Sequence, residues 1–88
     1  MVDFGPIFHD VGEAQSTSID YNNGTITTAT MSVTGSGSWN LYLTADGGSH
    51  WESCSNGVAH TFTNTGTDLR WKMSGSGTIT KIIVNNYH

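Results

Sequence analysis

Several stretches of the chain alternate apolar and polar residues with a period of two, the pattern of a half-buried β-strand. Ala29, Met31 and Val33 share one face, with Thr28, Thr30 and Ser32 on the other. Trp39, Leu41 and Leu43 alternate in the same way with Asn40, Tyr42 and Thr44. Val58, His60 and Phe62 share a further face, with His60 read as a half-buried strand residue, and Leu69, Trp71 and Met73 point inward, with Arg70 and Lys72 turned outward. A last strand over 78–87 is apolar on both faces at Ile82-Ile83-Val84.

Turn residues punctuate these rows. Asn22-Asn23-Gly24 predicts a hairpin joining 17–21 to 25–33. Asp46-Gly47-Gly48, Asn56-Gly57 and Asn64-Thr65-Gly66 predict further turns, and Gly35-Ser36-Gly37 and Gly75-Ser76-Gly77 predict flexible breaks between strands. The two Gly-Ser-Gly segments lie 40 residues apart, each ahead of a strand. Two copies do not make a solenoid, so they read as independent loop chemistry. The expected fold is all-β: a small antiparallel β-sandwich, jelly-roll-like or Ig-like, of about seven short strands over 16–88.

Residues 1–15 break the pattern. Val2, Phe4, Ile7, Phe8 and Val11 follow neither a strand nor a helix period, and Pro6 argues against a central strand. Two readings are open. The segment is either an edge strand on its own domain or an N-terminal arm whose Val2, Phe4, Ile7 and Phe8 dock on a partner.

Composition sharpens this picture. Of 88 residues, 23 are Ser or Thr, 11 are Gly and 7 are Asn, while Leu and Ala together supply seven. Such a chain lacks the residues that build long helices. With three basic residues and a net charge of −4, it cannot assemble the Lys/Arg cluster that phosphates or anionic membranes require. The start, Met1-Val2-Asp3-Phe4, lacks the basic, then apolar, pattern of a secretory leader, and a lone Cys54 makes no internal disulfide. Assembly in a cytoplasm is the expectation. A domain this small buries a modest core, so association with itself or with a larger scaffold is expected to add burial.

Little in the sequence predicts catalysis. His9, His50, His60 and His88 lack the short spacings of metal ligands, and the carboxylates, Glu52 among them, occur singly. Asn23-Gly24-Thr25 matches a glycosylation sequon. No phosphate loop, dinucleotide fingerprint or nucleophile elbow is present. Neither catalytic residues, nor a metal, nor a cofactor is expected. Alternation argues against an aromatic platform for a sugar: Trp39 and Trp71 fall in phase with the core, Trp51 belongs to the turn, and Tyr42 alone is clearly outward, which leaves a weak one-ring platform.

Thr44-Ala45-Asp46-Gly47-Gly48-Ser49-His50-Trp51 resembles an Asp-box, a hairpin in which the Asp carboxylate accepts backbone N–H bonds, glycines take positive φ and the Trp packs over the turn. The resemblance gives Asp46, Gly47, Gly48 and Trp51 a structural role, with His50 where the motif usually has a hydroxyl residue. One copy does not make the propeller in which such boxes recur. From Trp39 to Tyr87 the order of strands and turns is similar to small β-sandwich modules of phage virion proteins, of the capsid-decoration and tail-associated type. That likeness implies a non-enzymatic virion structural protein, foremost a capsid decoration or cement protein that binds and stabilises the shell. Its alternatives are a tail or baseplate component and a carbohydrate-binding module at a virion tip or cell surface. The implied partners are the major capsid protein or another virion protein and further copies of the chain, a trimer among the options, with no direct nucleic-acid or membrane contact.

Overall fold

The structure is a computed structural model. It describes residues 2–3 and 13–87, and the side chains of 15–86. The chain is all-β, with no helix among the described residues: β1 is Val2–Asp3, β2 Glu13–Gln15, β3 Asp20–Thr44, β4 Glu52–Cys54 and β5 His60–Tyr87.

Two of these strands are far longer than the short elements expected. Along β3 the partners on β5 run downward: Thr30 with Asn85, Val33 with Ile82, Leu41 with Met73, Thr44 with Arg70. Descending partners are the antiparallel sense. This ladder continues without interruption through both Gly-Ser-Gly segments, which therefore are not breaks. They pair with each other, Gly37 directly opposite Gly77, Ser36 opposite Thr78 and Ser38 opposite Ser76. The near-repeat is one structural device read twice, not two independent loops.

The device bends the ladder. A straight run from Thr28 to Thr44 would extend roughly 54 Å at a strand's usual rise, yet the longest dimension of the fold is 34 Å. At the crossing Gly37 has φ 130° and Gly77 φ 133°, values closed to residues with a side chain. A Cβ on Gly37 would sit 2.2 Å from the Ser76 carbonyl oxygen, and one on Gly77 2.1 Å from that of Ser36. Just beyond, Thr34 pairs with Lys81 and Gly35 with Ile79, leaving Thr80 as a bulge whose hydroxyl donates to the Thr34 carbonyl (3.1 Å).

A second ladder uses the other side of β5. Glu13 and Gln15 pair with Ser74 and Lys72, Asp20 and Tyr21 with Leu69 and Asp68, and Thr28 and Ala29 with Thr61 and His60. The expected hairpin at Asn22-Asn23-Gly24 does not reverse the chain, because the residues before and after it pair with the same strand in descending order. Residues 22–25 form an excursion instead, with Asn22 at φ 57° and Gly24 at φ 104°. Asn64-Thr65-Gly66 likewise lies inside β5. Long-range pairing overrides the local turn preference at both places. The turns at Asp46-Gly47-Gly48 and Asn56-Gly57 are found where the sequence places them.

The inward rows meet in one core. Ala29, Met31 and Val33 join Leu41 and Leu43, and Leu69, Trp71 and Met73 join Ile82 and Val84. Trp39, expected in the core, is only partly buried at its margin, and Val58, in phase with the buried Phe62 by alternation, stands 56% exposed. Val58 follows the 56–57 turn and precedes β5, so no ladder fixes its face. β1 pairs with β5 of its own chain, Val2 opposite Val84 and Asp3 opposite Ile83. These two residues adopt the edge-strand arrangement; Phe4, Ile7 and Phe8 lie outside the described residues.

Candidate functional site

The outward face of the β3–β5 ladder carries the most structured group of side chains. Tyr42 and Lys72 are direct cross-strand partners, so both project from the same face. The Lys72 ammonium stands 5.4 Å from the centre of the Tyr42 ring and 4.6 Å from that of Trp51, within cation–π range of both. Tyr42, Trp51 and Lys72, with Met73 and Ser74, line an open pocket of about 360 Å³. Nearby ion pairs are His50–Asp46, His60–Glu52 and Arg70–Asp68. Lys72 belongs to none of them; its described partners are the two rings.

Trp51 reaches this face from the connection between β3 and β4, and the turn before it is tightly bonded. The Thr44 hydroxyl, fully buried, donates to Asp46 Oδ1 (2.7 Å) and accepts from the Gly48 N–H (3.1 Å). Asp46 Oδ1 accepts the His50 N–H (2.9 Å), and Oδ2 lies 2.6 Å from His50 Nδ1. Burial pushes Asp46 up, but the Thr44 hydroxyl and the bonds from His50 outweigh it and hold the carboxyl below its ordinary 3.8. The Gly48 donor thus goes to Thr44, and the Asp46 carboxylate takes the donors of His50. Gly47, at φ 73°, donates its N–H to the Asp68 carbonyl (3.1 Å), clipping the turn to β5. A Cβ on Gly48 would lie 3.5 Å from Trp51 Nε1, so the indole packs on that glycine.

On the other side of Trp51, Glu52 makes a second anchor. Its Oε1 accepts from the Thr63 N–H (2.9 Å) and lies 2.9 Å from His60 Nε2, while Oε2 accepts from the Asn64 N–H (2.9 Å) and side chain (3.2 Å). Burial alone would raise this carboxyl; the Thr63 and Asn64 N–H groups, with His60 and the Asn64 side chain, bring it from 4.5 down to about 2. Sequence reasoning passed over Glu52 because its partners lie 8 to 12 positions away, beyond any local motif. The Asn56 side chain fixes the following turn by copying a strand: its Oδ1 accepts the Val33 N–H (2.8 Å) and its Nδ2 donates to the Val33 carbonyl (2.9 Å).

The remaining candidates assemble no chemistry. Burial pushes the Cys54 thiol up to about 11, which keeps it protonated and unreactive. Among the described residues, no three His, Cys, Asp or Glu side chains converge as metal ligands. A second hollow of about 540 Å³ lies beside the glycine crossing, lined by Val33, Trp39, Leu41, Cys54 and Asn56 among others. Outward position predicts Tyr42 and Lys72; the second ring was missed because Trp51 was assigned wholly to the turn.

Compared with protein-family models, with curated proteins and with solved structures, the chain matches none.

Proposed function

We propose that this chain is a non-enzymatic binding module of a phage virion, which holds a carbohydrate at a virion tip. The fold is read here as a two-layered, jelly-roll-like sandwich, each long strand bending at its glycine pair to serve both layers. The observation that carries the reading is Trp51. A half-buried indole at the rim of an open pocket is held between two carboxylate-anchored segments, beside an outward tyrosine and a lysine. Rigid aromatic faces with a few polar groups in a shallow pocket are the usual means of holding a small polar ligand. The outward group is thus larger than the one-ring platform that Tyr42 alone would offer. Binding to an array of bacterial-surface glycans tests this: the intact chain retains saccharides, and Trp51→Ala loses them. No retention on any glycan would end the reading.

The capsid-decoration reading keeps support of its own. Tyr21 and Val58 stand 62% and 56% exposed, side chains of the type that a protein contact buries. Added to particles lacking their own copy, a decoration protein sediments with the shell at fixed stoichiometry. A chain that stays in the supernatant at saturating concentration is not one. A tail or baseplate subunit would instead co-sediment with isolated tails.

A further inference from the structure

We propose that the pocket framed by Tyr42, Trp51 and Lys72 recognises a carboxylate-bearing sugar residue of an acidic glycan, with Lys72 as the partner of the carboxylate. This rests on the carbohydrate-binding reading above and adds the charge of the ligand to it. The parts of the two rings that border the pocket beside Lys72 offer apolar surface to the C–H groups of a pyranose. Lys72 supplies a cation that, among the described residues, has no ion-pair partner, on a chain whose net charge is −4.

That contrast matters. An acidic protein repels anions in general, so an anion binds only where a positive group is locally presented. Of the other two cations of β5, Lys81 pairs with Thr34 beyond the glycine crossing and does not line this pocket, and Arg70 is already committed, its guanidinium donating to both oxygens of Asp68 (3.3 and 3.0 Å). Lys72 is the one left for a ligand on this face. The two rings hold its ammonium in place and strip part of its water, which strengthens a contact with one carboxylate. A phosphate would call for several convergent donors, and this pocket offers one ammonium and the Ser74 hydroxyl. An acidic peptide would call for an extended groove, whereas this hollow is compact, about 360 Å³.

The anchors on either side of Trp51 belong to the same argument. A half-buried tryptophan forgoes part of the burial it could have, and two bonded carboxylates hold the chain that carries it. Holding a ring in its bound position before the ligand arrives lowers the ordering cost of binding.

The test titrates the full chain with an oligogalacturonate and with sialyllactose, each against its neutral counterpart: the carboxyl-reduced oligosaccharide and lactose. Calorimetry and tryptophan fluorescence read the affinity at two salt concentrations. Acidic probes are expected to bind at least tenfold more tightly than neutral ones, with the advantage shrinking as salt rises. Lys72→Met, which keeps the aliphatic stem, should erase that advantage, so that acidic and neutral probes bind the variant with equal affinity at both salt concentrations. Trp51→Ala should weaken all probes at least tenfold, and Trp51→Phe, which retains a ring on the same backbone, should weaken them less. Equal affinity for acidic and neutral probes would overturn the assignment of Lys72 while sparing carbohydrate binding. Binding of neither would overturn the carbohydrate reading itself. Saturable binding of a polyglutamate peptide at the same residues, with no saccharide bound, would overturn the sugar and keep only the anion.

Discussion

Asp46 and Glu52 flank Trp51 in the chain, each meets a histidine, and they are anchored in opposite ways. Asp46 takes its partners from within its own turn, Thr44 and His50. Glu52 reaches across the sheet to His60, Thr63 and Asn64. The His50 side chain is 59% exposed, that of His60 only 19%. A carboxylate that shapes a local turn beside an exposed histidine competes with water for its donors, whereas one that joins two strands beside a half-buried histidine gathers four bonds and leaves less of itself to water. The second therefore contributes more to stability, and only the first leaves a recognisable signature in the sequence.

Five substitutions at four positions probe that contrast. Both anchors presuppose the bent ladder that carries them, so the largest effect is expected from Gly77→Ala. A Cβ there meets a backbone carbonyl at 2.1 Å with φ at 133°. Its cost should exceed about 4 kcal/mol, close to the whole stability of a small domain. Loss of a cooperative thermal transition by circular dichroism is the expected result, and a normal melt would refute the crossing.

Glu52→Ala comes next. It removes the acceptor of the exposed Thr63 N–H and of the half-buried Asn64 N–H, and should cost about 1–3 kcal/mol in denaturant titration. If it costs less than Asp46→Ala, the ranking of the two anchors is inverted. The same group governs acid sensitivity. Its folded-state value of about 2 lies below the ordinary 4.5, so its contribution is full above pH 4.5 and is lost as pH falls toward 2. Asp46 and Asp68, both held low, add to that loss. Stability should therefore fall from about pH 5 to pH 2, and Glu52→Gln should flatten part of that fall. An unchanged profile in the variant would show that other carboxylates dominate.

Asp46→Ala should cost about 1–2 kcal/mol, since the His50 donors can turn to solvent while the buried Thr44 hydroxyl loses its acceptor. It should also loosen Trp51, read as broadened or red-shifted tryptophan emission. Smallest of all, His50→Ala should change stability by less than about 0.5 kcal/mol, because the backbone N–H at that position still reaches Asp46. A loss as large as that of Asp46→Ala would mean that the exposed histidine ring, not the backbone, holds the turn.

By itself the sequence determined the all-β class, because Thr, Val, Ile and aromatic residues alternate with period two and good helix formers are scarce. It also determined most of the core, from Ala29, Met31 and Val33 to Leu69, Trp71 and Met73, since alternation alone assigns a face. The turn at 46–48 was legible because its bonds are local. Tertiary structure decided the rest. Gly-Ser-Gly reads as a break by any local rule, and only two such segments lying opposite each other make it a bend in a continuous ladder. Asn22-Asn23-Gly24 carries the composition of a hairpin, but the strand on β5 offers more hydrogen bonds than reversal would. Val58 leaves the face it shares with Phe62 by alternation because no ladder holds it. Trp51, Tyr42 and Lys72 stand 9 to 30 positions apart in the chain. Strand register is set by the whole network of pairings at once, and no window of neighbouring residues contains it.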